Sequence, residues 1–185
     1  MNKPGKSIIS RRPLCTFWGL LAITALTVTL LAKEVVAAEV LPIEGTYGVT
    51  FTLTPTAPNT FLVVATGIGR TLHLGNSSVG DLGNSFLDIT KTANANATPP
   101  SLEGTFKLTF ENGDTLSGTI SGVFTFPPDS SGFGAFSGQF TFTAGTGQLQ
   151  GASGTASFTG LANFAKNQAL YSFQGNVSIP GSLGN

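Results

Sequence analysis

The chain has 185 residues with no formal net charge at pH 7, only 10% charged side chains, 24 glycines, 15 phenylalanines, one histidine and one cysteine. Beyond the first dozen residues no stretch gathers the Lys and Arg needed to displace counterions from phosphate, which argues against nucleic acid and an anionic membrane surface as partners. A single histidine leaves no histidine metal cluster, and a single cysteine leaves no disulfide framework.

The N-terminus reads as a secretory signal. Lys3, Lys6, Arg11 and Arg12 precede an uncharged stretch from Pro13 to Ala32, and Lys33-Glu34-Val35-Val36-Ala37-Ala38 adds a polar break that ends in small residues. Cleavage after Ala38 divides the chain into a signal peptide, residues 1–38, and one mature domain, residues 39–185. Retention as an anchor is the alternative, because about 20 apolar residues can cross a bilayer; Arg11-Arg12 also admits a twin-arginine route. Cys15 lies within the apolar run, so no lipobox follows it. The mature part keeps four basic and eight acidic residues, net −4, and no cysteine. The expected destination is periplasmic or extracellular, with no membrane contact after cleavage and with stability drawn from packing and strand pairing.

From Gly45 onward apolar residues alternate through segment after segment, the period-2 signature of half-buried strands. Tyr47, Val49, Phe51 and Leu53 form a first strand closed by Pro55 and Pro58. Phe61–Thr66 is a more continuous apolar strand, Thr71–Leu74 a short one carrying His73, and 76–84 a polar loop. Phe86–Thr90 returns as a strand, and Thr92–Ser101, ending in Pro99-Pro100, reads as a loop. Leu102, Phe106, Leu108 and Phe110 alternate up to Asn112-Gly113, the signal of a type I′ hairpin with positive φ at both residues. Leu116, Ile120, Phe124 and Phe126 come back, with Gly118 and Gly122 on the same face. Phe133 or Phe136 opens the next strand, and Phe140 and Phe142 lead through a glycine-rich connection to Ala156 and Phe158. After a looser piece from Leu161 to Gln168, Tyr171, Phe173, Val177 and Ile179 make the last strand. The count predicts an all-β fold: roughly eight antiparallel strands in a meander closed as a barrel, with a β-sandwich as the alternative.

The run Leu102-Glu103-Gly104-Thr105-Phe106-Lys107-Leu108-Thr109-Phe110-Glu111-Asn112-Gly113-Asp114, followed by Phe140-Thr141-Phe142 and Gly145-Thr146-Gly147-Gln148-Leu149-Gln150-Gly151-Ala152-Ser153-Gly154, resembles exported bacterial proteins with an allene oxide cyclase-like, or dirigent-like, β-barrel. The resemblance covers nearly the whole mature chain, including His73-Leu74-Gly75. Those proteins commonly read Gly-Arg-Phe-Ala-Gly-Ala-Thr-Gly at this hairpin; here Gln148, Leu149 and Gln150 stand where Arg, Phe and Ala are usual, and Ser153 replaces Thr. The resemblance implies a barrel around an apolar cavity. It implies no particular activity, because the plant cyclases and dirigent proteins steer reactive intermediates whereas most exported bacterial relatives have no assigned activity.

Three side chains are candidates for binding a ligand: His73 at a strand end, and the two phenols Tyr47 and Tyr171 on the first and last strands, which become neighbours when a meander closes. Their plain roles are a loop hydrogen bond for His73 and seam packing for the tyrosines. Glu44, Asp81, Asp88 and Glu103 are scattered, so no carboxylate pair is spaced for acid–base work, and Gly80-Asp81-Leu82-Gly83-Asn84 lacks the repeated acidic ligands of a calcium loop. No metal and no cofactor is implied. The phenylalanines fill a core, line a cavity or cover a surface. The expectation is an exported, non-catalytic barrel that binds a small apolar ligand; the alternatives are a cyclase- or dirigent-like barrel that steers a reactive lipophilic intermediate, and a structural surface or matrix protein.

Overall fold

The computed structural model describes residues 37–73 and 82–180. The signal segment, most of the 76–84 loop and the His73 side chain lie outside the described residues. Eight strands run in chain order: β1 (Glu39–Ala57), β2 (Thr60–His73), β3 (Asn84–Asn94), β4 (Ser101–Phe110), β5 (Thr115–Phe124), β6 (Phe133–Gly145), β7 (Ser153–Asn163) and β8 (Gln168–Ile179). Each pairs antiparallel with the next, and β8 pairs with β1, so the sheet closes as the expected barrel rather than a sandwich. Closure leaves no open sheet edge. We call the end where β1, β3, β5 and β7 finish the mouth, and the other end the base.

Alternation along each strand divides the residues between interior and exterior. Leu41, Ile43, Tyr47, Val49 and Phe51 of β1 face inward, as do Phe136, Phe140 and Phe142 of β6. At the base, Leu82 and Leu149, both in connections, are buried in the same core. An eight-stranded barrel has room for side chains but not for a large one at every inward position. Glycine supplies the missing space: Tyr47 lies across from Gly69, Phe142 from Gly118 and Phe158 from Gly138. A Cβ on Gly69 would sit 2.6 Å from the Tyr47 ring and 2.1 Å from the Thr46 carbonyl oxygen.

Three local expectations are corrected. The short strand expected at Thr71 is the end of β2, which runs unbroken from Thr60 through Gly67 and Gly69, because those glycines make room for the inward Val49 and Tyr47 instead of breaking the strand. The loop expected over Thr92–Ser101 is shorter, since β3 continues to Asn94 and β4 begins at Ser101. The type I′ turn at Asn112-Gly113 does not form: Gly113 has φ +87° whereas Asn112 stays outside the positive-φ residues. A four-residue connection forms instead, in which the Gly113 N–H donates to the Phe110 carbonyl and the Asp114 N–H donates to Asn112 Oδ1.

On the exterior, five register partners from neighbouring strands make a row: Leu161, Leu170, Gly48, Ile68 and Phe86. Its four large members are exposed, Ile68 by 68% and Leu170 by 63%.

The space argument is tested by two alanines. Gly69→Ala is expected to cost about 1–3 kcal/mol by overpacking. Gly48→Ala, on the outer face, puts its Cβ no nearer than 4.0 Å to Leu170 and is expected to stay within about 0.5 kcal/mol of the parent. Urea denaturation of both measures the difference; equal stabilities would refute the assignment.

Candidate functional site

The mouth half of the barrel is hollow for a compositional reason. Ala65, Ala93, Ala162 and Ala169 occupy inward positions of β2, β3, β7 and β8, and all four line a cavity of about 170 Å³. Phenylalanines, among them Phe51, Phe61, Phe124 and Phe164, complete its wall. Such a lining is almost wholly apolar; besides Thr125 at the rim, its polar members are two.

The two buried ones are Lys91 and Tyr171. Lys91 shares the inward parity of Leu87, Ile89 and Ala93 on β3 and is only 6% exposed. Across β4 it faces Gly104, where a Cβ would lie 2.6 Å from the Lys91 Cβ, so glycine again leaves room for a long neighbour. The Lys91 ammonium donates to the Tyr171 hydroxyl at 2.7 Å. It also lies 5.2 Å from the Phe136 ring centroid and 5.4 Å from that of Tyr171, within cation–π range. Among the described residues no carboxylate pairs with it, and Asp88 and Glu103 are exposed on the outer face of their strands.

Burial without an anion disfavours the charged form. It holds the Lys91 ammonium well below the usual lysine range, at about 8. Burial acts in the opposite sense on the Tyr171 phenol and pushes it up, so that this hydroxyl stays protonated. The pair therefore combines an amine that is partly neutral near pH 8 with a hydroxyl that can donate or accept.

The other candidate residues lie elsewhere. Tyr47 and Tyr171 are direct register partners across the β1–β8 seam, yet their hydroxyls serve different sites. Tyr47, fully buried, shares hydrogen bonds with Thr71 Oγ1 at 2.6 Å and with Ser85 Oγ. Its phenol is raised by burial, against the lowering effect of those two hydrogen bonds. It does not line the cavity. The His73 backbone ends β2 at the base, paired with Ile43, whereas the cavity is lined by the first half of β2. Sequence reasoning thus found Tyr171 but not its partner Lys91, although the alternation Leu87, Ile89, Lys91, Ala93 carried the signal.

The depressed Lys91 proton affinity fixes the sign of a pH effect. In an unfolded chain this lysine titrates near ~10.4, so between about pH 8 and that value the unfolded state holds a proton the folded state has lost. Stability contributed at this site therefore rises with pH across that window. The raised phenols act oppositely, but only as pH passes ~10, where unfolded tyrosine ionises. Urea midpoints are expected to climb from pH 8 to 10 in the parent and to lose that climb in Lys91→Met; parallel profiles would place the slope on another group.

No protein-family model matches the chain, and no curated protein matches it. Among solved structures, it is similar to a pterocarpan synthase dirigent protein, with 15% sequence identity and a TM-score of 0.49, over 78% of this chain and 91% of that one.

Proposed function

We propose that this barrel is an exported module, periplasmic or extracellular, that takes a small apolar molecule into the mouth cavity. The observation that carries the reading is the cavity itself: four inward alanines keep about 170 Å³ unfilled in a barrel whose base half is densely packed with aromatic rings. An apolar cavity of ~150 Å³ suffices for benzene, so the fitting ligand is one aromatic ring or an aliphatic fragment of similar size. A second reading, a barrel that steers a reactive lipophilic intermediate, draws support from the buried Lys91–Tyr171 pair, because it places a polar group where a bound molecule would meet it.

Toluene is a suitable first probe. At ten times its dissociation constant it is expected to stabilise the fold by ~1.4 kcal/mol, a rise of about 3–6 °C in thermal midpoint for a domain of this size. Ala162→Leu, which fills the cavity from β7, should abolish the rise. A midpoint indifferent to toluene in the parent would overturn the binding reading.

A further inference from the structure

We propose that Lys91 is a carbonyl-capturing amine: the cavity admits a small apolar aldehyde or ketone, and the Lys91 side chain, hydrogen-bonded to Tyr171 at the cavity wall, condenses with it to a reversible imine. The inference rests on the binding reading above and names the chemical class of its ligand.

Two observations and two chemical arguments converge on it. Lys91 is a cavity-lining residue, not a surface one, so a molecule seated among Ala65, Ala93 and Ala169 lies beside the amine. No carboxylate among the described residues fixes Lys91 as an ammonium; its ammonium hydrogen-bonds to the Tyr171 hydroxyl, and the elements packed against it present Gly104 from β4 and apolar side chains from β2, β6 and β8. Buried lysines of this kind serve as Schiff-base formers because the neutral amine is accessible near neutral pH. A neutral carbonyl compound also enters an apolar cavity without the desolvation cost that a carboxylate would incur.

The chemistry balances with the residues present. The neutral Lys91 Nζ attacks the carbonyl carbon, forming the C–N bond as the C=O π pair moves to oxygen. One proton passes from nitrogen to that oxygen through the Tyr171 hydroxyl, which accepts one proton and gives up another and so ends unchanged. The carbinolamine then loses the hydroxyl and the remaining N–H proton as one water, leaving C=N. Neither an oxidant nor a reductant is required. A phenol held in its protonated form suits such a relay. At pH 8 a lysine that titrates at about 8 is roughly half neutral, against roughly one part in 250 for an ordinary lysine.

The test is reductive trapping on the full chain. The protein is incubated at pH 8 with benzaldehyde and cyanoborohydride, and benzylated lysines are mapped by peptide mass spectrometry. Lys91 is expected to be labelled at least about tenfold faster than Lys107 or Lys166, and Tyr171→Phe to slow that labelling by about tenfold or more. Toluene, as a competitor, should protect Lys91 alone. Labelling of Lys91 no faster than of the surface lysines, in protein whose thermal midpoint still responds to toluene, would overturn the capture proposal and leave the binding reading standing. Absence of both selectivity and response would overturn both. Selective labelling unaffected by Tyr171→Phe would remove the relay role from Tyr171.

Discussion

Everything inside this barrel follows from a limit on width. Eight strands closed on themselves leave an interior that side chains can fill only if large and small residues share it. Here the sharing occurs across strand pairs, with an aromatic ring set against a glycine on the neighbouring strand. The rings then meet each other: Phe140 lies 4.5 Å from Phe106 and 4.8 Å from Phe158 between centroids. In the base half this arrangement consumes the available volume. Alanine replaces the ring at four inward positions near the mouth, and the same geometry leaves a cavity there instead of a core.

Lys91 is the place where the logic of stability is set aside. An inward lysine in a nearly apolar lining is destabilising relative to an apolar side chain of the same size, and the surrounding residues soften that cost only in part, through one hydroxyl and two aromatic faces. The rest of the interior obeys packing rules closely enough that the exception stands out. A perturbed ionisable group in a cavity, with a named cause for the perturbation, has the physical character of a functional site.

Strand alternation made the architecture legible. Period-2 patterns marked seven of the eight strands, β2 being the exception with its continuous Phe61–Thr66 run, and closing the meander places Tyr47 beside Tyr171 from connectivity alone. Glycine and loop composition misled where tertiary context overrode them. Gly67 and Gly69 look like a break in β2, yet the strand needs them because Val49 and Tyr47 project across it. The alternating Ala and Asn after Thr90, with Pro99-Pro100 beyond, have the composition of a loop, so the sequence reading ends the strand one residue before Lys91. In the fold the parity continues to Ala93. Nothing in the local sequence shows that Lys91 and Tyr171 meet, because β3 and β8 are not neighbours in the sheet and their side chains touch only across the interior.

The exposed row from Leu161 through Leu170, Gly48 and Ile68 to Phe86 takes on a particular meaning in a closed sheet. Open sheets with apolar edges propagate by recruiting another chain's backbone, strand upon strand, toward fibres. In this barrel the strands' backbone hydrogen bonds are spent on their own neighbours, so contact made through that row can be only side chain against side chain. Such contact is bounded in extent and carries no template for growth. The barrel can therefore carry a greasy belt on its outside while remaining a poor seed for amyloid.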